Sequence, residues 1–192
     1  MMQEPLPDGG AIRKLWTGET DAYRDHLLRL DPDSRRRRFS GTIADEVIAR
    51  HAATVNKPGV VVHGFFVDGV IRGAAELRRI GPGFTREAEA AFSIEEPWQS
   101  NGVGTELLER TLLSARNRGI TSLRMHCLAE NQRMQQLARK FEAGLKFDFG
   151  SVTGEVDPPR YTTLSLMREA MADSYAIAGA VIDVQSRLFK PA

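Results

Sequence analysis

Residues 94–105 read IEEPWQSNGVGT and place a glycine-punctuated turn between two periodic segments. Before the turn, Glu87 to Glu95 alternates polar and apolar residues, which predicts a strand, and from Gly104 to Arg118 apolar residues recur at helical spacing. A helix N-terminus presents unpaired N–H groups and the positive end of the helix dipole, and glycine lets the backbone approach an anion closely. The stretch therefore predicts a phosphate-binding turn where the strand meets the helix.

Two common phosphate-binding loops do not fit this turn. The Walker A loop ends in Gly-Lys-Ser or Gly-Lys-Thr, and no lysine follows Gly104. The dinucleotide fingerprint needs a third glycine where this chain has Leu107, and it belongs to the first turn of a βαβ unit. Here the turn follows a run of three predicted antiparallel strands, so both nucleotide interpretations fail.

The rest of the chain predicts a mixed α/β domain built on one sheet. Asp68-Gly69 joins the apolar runs Val60–Val67 and Val70–Arg79, as in a hairpin with a type I′ turn. The other predicted elements are, in chain order, a strand at Ala11–Trp16, helices at Asp21–Leu30 and from Thr42, the helix at Gly104–Arg118, a strand at Ile120–Leu128, a helix at Asn131–Phe141, strands at Leu145–Phe149 and Tyr161–Met167, and a helix at Met171–Leu188. The polar segment Gly150–Arg160 is predicted to separate the last two strands.

The composition is that of an ordinary globular domain. The chain has 192 residues, of which 42% are hydrophobic, and 26 Lys plus Arg stand against 25 Asp plus Glu, a formal net charge of +1. This balance argues against a dedicated nucleic-acid binder, and no apolar run approaches the roughly 20 residues of a membrane span. The single cysteine, Cys127, excludes an internal disulfide and a multi-cysteine zinc site. Residues 1–10 lack the pattern of a signal peptide, so we expect a cytoplasmic protein.

The pattern Gln/Arg-x-x-Gly-x-Gly/Ala is met in full by Gln99, Gly102 and Gly104, and here the sequence resembles the GNAT superfamily of N-acetyltransferases. The resemblance covers roughly residues 12–167, in the family's order of strand, two helices, three antiparallel strands, helix, strand, helix and two strands. It implies an α/β fold with a mixed sheet and acetyl-CoA as cosubstrate, without a metal. We expect a flexible lead at residues 1–10, the acetyltransferase domain at 11–168 and an extra helical extension at 169–192.

The resemblance also implies which residues bind the cofactor. In GNAT enzymes the turn and the helix start hold the pyrophosphate of acetyl-CoA, a role that falls here to Gln99, Asn101, Gly102, Val103, Gly104 and Thr105. Leu128 to Lys140 is similar to the family's second motif, whose asparagine, here Asn131, faces the pantetheine arm. Main-chain N–H groups from Phe92 to Ile94 would pair with the pantetheine and polarise the thioester carbonyl.

The resemblance assigns a catalytic base as well. Residues 88–94, AEAAFSI, look like the fourth strand of bacterial GNAT protein acetyltransferases, where the glutamate after the first alanine is the base; here it is Glu89. An amine with a pKa of about 10.4 must lose a proton before it attacks at neutral pH. The alternative is that Glu89 is a solvated strand residue like Glu87.

Many GNAT enzymes carry a tyrosine as general acid at the position where this chain has Ala138. Three alternatives follow: CoA leaves as the thiolate, CoA is protonated through water, or the protein belongs with the acetyltransferases that lack the tyrosine.

Four consecutive arginines, Arg35 to Arg38, favour a solvated helix face over a nucleic-acid site, because no aromatic residues are interleaved. The resemblance adds a third interpretation, recognition of an acidic group on the acceptor, and makes Tyr161 a candidate acceptor contact.

The leading hypothesis is direct acetyl transfer, in a ternary complex, to a primary amine on a protein or a small molecule. A non-catalytic acyl-CoA-binding regulatory module is the alternative. The C-terminal helix is interpreted as either a packing element or the contact of a homodimer, and no membrane partner is expected.

Overall fold

The computed structural model describes residues 6–81, 83, 85–159 and 162–174. The elements follow one another as β1 (Ala11–Lys14), α1 (Thr20–Arg29), α2 (Pro32–Phe39), α3 (Asp45–Ala52), β2 (Val60–Val67), β3 (Val70–Arg79), β4 (Glu87–Ile94), α4 (Val103–Asn117), β5 (Ser122–Leu128), α5 (Gln132–Lys140), β6 (Gly144–Asp148) and β7 (Ser151–Val156). Residues 163–174 are helical and are called α6. No helix in these ranges is long and apolar enough to cross a bilayer.

The sheet has seven strands in the order β1-β2-β3-β4-β5-β7-β6, and it is mixed, as predicted. Every neighbouring pair is antiparallel except β4 and β5, which run parallel. The register of that pair ends at Glu89 and Arg124, although β4 continues to Ile94 and β5 to Leu128. The two central strands therefore part beyond Glu89 and leave a wedge in the middle of the sheet.

Helices cover both faces of the sheet, and the alternation of β4 decides which side chains reach which face. Ala88 and Ala90 are buried with Leu108 and Leu123, in the cluster beneath α4 and α5. On the other face, α1 and α3 pack on β2 and β3 through Tyr23, Leu27, Ile48, Val62 and Ile71. Ser93 and Glu95 contact α1, so the odd-numbered residues of β4 face the α1–α3 layer, as the alternation predicts.

The prediction of a last strand at Tyr161–Met167 is wrong. The seventh strand is β7, which lies within the segment predicted to be a polar connection, whereas residues 163–174 are helical. Gly150, with a φ of 73°, turns the chain directly after β6, so that β7 pairs with both β6 and β5. The helix start is marked by Thr162 and Ser165, whose side chains each accept the other's main-chain N–H, at 3.1 and 2.9 Å, as in a capping box.

The arginine run forms a separate short helix, α2, so three helices rather than two precede the hairpin; Pro32 begins α2 and Asp31 caps it through the Ser34 N–H at 2.9 Å. The boundary predicted at residue 168 falls inside α6 and stays a prediction. Tyr161 and the end of the C-terminal helix lie outside the described residues.

Candidate active site

A cavity of about 460 Å³ lies between α2, the end of β4, the start of α4 and α5. Seven of the ten site residues predicted from sequence line it, namely Phe92, Ile94, Gln99, Gly102, Gly104, Thr105 and Asn131. Val103 is buried at the base of α4, and Asn101 is exposed on the turn before it. The glycine turn before α4 and the part of β4 beyond Glu89 therefore line the same cavity.

The start of α4 faces this cavity with backbone donors. Gly102 takes a left-handed conformation, φ 78°, which favours glycine, and no side chain caps the helix. The first N–H groups of an α-helix have no intrahelical acceptor, and here the Glu106 N–H makes the first such bond, to Gly102 at 3.2 Å. A Cβ on Gly104 would meet Ile94 and Leu137 only at 3.5 and 3.6 Å, so packing alone does not demand glycine there. The absent side chain leaves the helix start open to an anion.

Four cationic side chains, Arg37, Arg38, Arg133 and Lys140, line the same cavity. Lys140 Nζ lies 3.4 Å from the hydroxyl of Thr105, in the first turn of α4. Together with the helix N-terminus, these groups form a donor set that suits a ligand with several phosphates. The residues present therefore fit the pyrophosphate and phosphate groups of acetyl-CoA.

Gln99 joins three walls of the cavity. Its amide Nε2 donates to the main-chain oxygen of Ile94 at 2.7 Å and to the Ser34 hydroxyl at 3.0 Å, and its Oε1 accepts from Arg133. The side chain holds the end of β4 against α2 and α5. Asn131 stabilises only its own helix: its Oδ1 caps α5 by accepting the Met134 N–H at 3.2 Å.

Two glutamates lie near the wedge, and they differ in what they can do. Glu89 is exposed, at the last position of β4 that pairs with β5, between Arg78 of β3 and Arg124 of β5 in the register. Glu76, on β3, is 3% exposed and accepts from Tyr23 at 2.9 Å, Arg38 at 2.9 Å and His51 at 2.7 Å. Burial opposes its charge, but the hydrogen bond from His51 and the guanidinium of Arg38 lower the pKa of Glu76 to about 2. Glu76 is thus a permanently charged anchor, whereas Glu89 is exposed on the face of β4 that it shares with Glu87.

The expectation of a solvated arginine face is wrong for one member of the run. The side chains of Arg36 and Arg37 are 46% and 37% exposed, whereas that of Arg38 is 7% exposed and paired with Glu76. The sequence carries no signal for this pair, because its partners lie 38 residues apart and meet only when α2 packs against β4, the strand beside β3.

Sequence inspection also missed a buried cluster next to the cavity. His26, fully buried on α1, contacts the Ser93 hydroxyl at 2.9 Å through Nε2 and the Glu95 carboxylate at 3.2 Å through Nδ1. Ser93 lines the cavity. In the described part of the chain, no group of three His, Cys, Asp or Glu side chains could hold a metal ion.

Several solved structures share this fold. The GNAT domain of PAT from S. lividans is similar with a TM-score of 0.67 at 24% identity, over 80% of this chain and 94% of that one. The yncA protein of Salmonella typhimurium, solved with its cofactor acetyl-CoA, gives 0.59 at 18% identity, over 80% and 96%. A cAMP-binding acyltransferase from Mycobacterium smegmatis gives 0.60 at 19% identity, over 91% of this chain and 54% of that one, so this chain spans about half its length.

A family model provides the assignment that these distant structures cannot. The model described as the acetyltransferase (GNAT) family matches residues 20–142, from the start of α1 to the end of α5. That range is well over half of the chain, and it contains β4, the glycine turn and the capped start of α5. Because the family model matches more than half of the residues, the chain belongs to the GNAT family of acetyltransferases.

Proposed function

We propose that this protein transfers the acetyl group of acetyl-CoA directly to a primary amine, on a protein or on a small molecule. The observation that carries the proposal is the parting of β4 and β5 at Glu89, next to a cavity that is lined by the open start of α4. A thioester arm laid in the wedge would have its phosphates at the helix start and its reactive end beside Glu89.

The cofactor contacts follow from this placement. The N–H groups of Val103, Gly104 and Thr105 would receive the pyrophosphate, and the cations of the cavity would balance the other phosphate charges. Asn131 and the N–H groups of Phe92 to Ile94 that point away from β3 would face the pantetheine arm, since β5 makes no paired register with this part of β4. Those N–H groups would also polarise the thioester carbonyl.

Glu89 would act as the base in this scheme. The acceptor arrives as an ammonium ion at neutral pH, so one proton must leave before the nitrogen can attack. Glu89 would take that proton, directly or through water, and pass it to solvent from its exposed position. The face that carries Glu89 is bordered by α2, where the partly exposed Arg37 reaches the cavity, so an acidic group near the acceptor amine would be favoured.

The test is CoA release from acetyl-CoA with a panel of small amines and lysine peptides, for the wild type and for Glu89→Gln. Removing a general base is expected to lower kcat/KM by about 100-fold or more. Glu87→Gln is the matched control: it lies on the same face of β4 and pairs with Arg124 at 2.9 Å, and it should stay within about twofold of the wild type.

Two outcomes would contradict the proposal in different ways. An unchanged rate in Glu89→Gln removes Glu89 from the mechanism. Tight acetyl-CoA binding by calorimetry, with no CoA released for any amine in the panel, favours the alternative of a non-catalytic acyl-CoA-binding module.

A further inference from the structure

Ser93, His26 and Glu95 form a chain of hydrogen bonds that ends at the cavity wall. Ser93 Oγ lies 2.9 Å from His26 Nε2, and His26 Nδ1 lies 3.2 Å from Glu95 Oε1. All three residues are less than one-tenth exposed, yet Ser93 lines the cavity next to Phe92 and Ile94, whose N–H groups are proposed to face the thioester. The roles proposed for Glu89 and for the main-chain N–H groups of β4 involve none of these three side chains.

The charges around the cluster determine which atom carries each proton. Glu95 accepts from Arg29 Nε at 3.1 Å and from Arg72 Nη1 at 3.0 Å as well as from His26. Burial raises the pKa of Glu95, but His26, Arg72 and Arg29 outweigh that effect and hold it below its usual value, so Glu95 is a carboxylate. A carboxylate can only accept, and therefore His26 Nδ1 carries a hydrogen.

The polarity of the Ser93 hydroxyl follows from the state of His26. Burial, which outweighs the favourable effect of Glu95, lowers the pKa of His26, so the ring is neutral at pH 7 and Nε2 carries a lone pair. Ser93 then donates its hydrogen to His26 Nε2, away from the cavity. Toward the cavity the hydroxyl oxygen presents lone pairs, which suit an N–H donor such as an attacking amine.

We propose that Ser93 and His26 form a proton shuttle between the acceptor amine and the sulfur of the departing CoA. This step rests on the proposed function. As the C–N bond forms, Ser93 Oγ takes the second proton from the amine nitrogen and passes its own hydrogen to His26 Nε2. As the C–S bond breaks, the proton returns from His26 through Ser93 to the CoA sulfur, which leaves as the thiol. Glu89, about 13 Å from Ser93 along β4, takes the first proton through water and releases it to solvent, so the atoms balance and the enzyme is restored.

The environment of His26 suits a group that holds a proton only briefly. Burial and Arg29 disfavour the imidazolium, while Glu95 gives it one compensating charge. The proton is therefore passed on readily to a thiolate, since an unperturbed thiol such as that of cysteine has a pKa of about 8.5. The shuttle also supplies the general acid that Ala138, buried where many GNAT enzymes carry tyrosine, cannot provide. In this scheme Ser93 is a catalytic residue, and His26 and Glu95 are positioning residues that act through it.

The experiment compares Ser93→Ala, Ser93→Thr and His26→Gln with the wild type, using acetyl-CoA and the best amine from the panel. Ser93→Ala is expected to lower kcat about 100-fold, with the Kd for acetyl-CoA from calorimetry within about twofold. Ser93→Thr keeps a hydroxyl and should recover most of kcat. His26→Gln should lose one ionisation from the acidic side of the kcat profile against pH, which a merely structural histidine would not produce.

Ser114→Ala is the matched control, because Ser114 is also a buried serine in contact with a histidine and a glutamate but does not line the cavity. It should keep the kcat of the wild type. Circular dichroism and thermal unfolding of every variant separate loss of folding from loss of the shuttle.

The results that overturn the shuttle differ from those that overturn the function. A folded Ser93→Ala with kcat within about threefold of the wild type removes the shuttle while acetyl transfer stands. An acetyl group found by mass spectrometry on Ser93, after wild-type protein meets acetyl-CoA alone, replaces both the shuttle and direct transfer by a covalent route. No CoA release by the wild type with any amine overturns the function itself.

Discussion

Two buried clusters of one serine, one histidine and one glutamate lie on opposite faces of the sheet in the part of the chain that the structure describes. The front cluster is Ser93, His26 and Glu95, and the rear cluster is Ser114, His63 and Glu169. In the front cluster the histidine stands between the other two side chains. In the rear cluster the serine does: Ser114 Oγ donates to Glu169 Oε1 at 2.7 Å and lies 3.3 Å from His63 Nε2.

The order of the three groups decides what each cluster can do. In the rear cluster the serine proton is directed to the carboxylate, so His63 does not receive it, and His63 Nδ1 has no hydrogen-bond partner among the described residues. Glu169 is further bound by Lys14, Asn117 and Arg118, which tie α6 to β1 and α4. The rear cluster therefore holds α6 to β1 and α4, whereas the front cluster includes Ser93, which lines the cavity.

The largest expected difference between the two clusters comes from replacing the glutamate of each cluster by glutamine. Glu95→Gln should lower kcat by about 10- to 100-fold, because an amide no longer holds His26 in the tautomer that accepts the serine proton. Glu169→Gln should leave kcat within about twofold but lower the free energy of unfolding by about 2 kcal/mol, since buried donors lose a charged acceptor. Steady-state kinetics and urea unfolding of the two variants measure both effects. An equal loss of kcat in the two variants would contradict the distinction.

The two clusters should also differ in how they respond to acid. Burial, reinforced by Lys14, lowers the pKa of His63 to about 3. Between the ordinary histidine pKa near 6.5 and about 3, the unfolded chain binds a proton that the folded chain does not, so the free energy of unfolding falls with falling pH by about 1.4 kcal/mol per pH unit. His63→Leu should reduce this loss, as measured by urea unfolding at neutral and acidic pH. His126→Leu, at an exposed position of β5, should retain the wild-type dependence.

The smallest predicted effect tests the electrostatics of the front cluster alone. The charge of Arg29 lowers the pKa of His26. Arg29→Gln should therefore move the acidic limb of the kcat profile upward, by about half a pH unit because the guanidinium is partly exposed. Arg24→Gln, on the solvent side of the same helix and paired with Asp21 and Asp25, is the control. A downward shift in Arg29→Gln would show that His26 does not set that limb.

Local signals predicted much of the fold and one side of the site. Asp68-Gly69 marked the β2–β3 hairpin, and the spacing of Gln99, Gly102 and Gly104 located the cavity wall at α4. The strand β7, which lies between β5 and β6, was missed because its six residues, SVTGEV, include few apolar side chains, and the Thr162–Ser165 capping pair was overlooked.

The front cluster lay beyond sequence reasoning for a different reason. His26 and Ser93 are 67 residues apart and meet only when α1 packs across β4, and no spacing rule links them. The same holds for Arg38 and Glu76. Contacts between distant segments depend on the packing angle of a helix on the sheet, which a single sequence does not display.

The wedge between β4 and β5 also has a thermodynamic meaning. Beyond Glu89 and Arg124 the sheet has an internal edge, where backbone groups have no strand to pair with. A ligand whose amides fill that gap completes the sheet in the folded protein and has no counterpart in the unfolded chain. Folding and occupancy are then linked, and a ligand at 100 times its Kd adds about 2.7 kcal/mol to the free energy of unfolding. The resistance of this protein to unfolding thus becomes a measure of how much free acyl-CoA surrounds it.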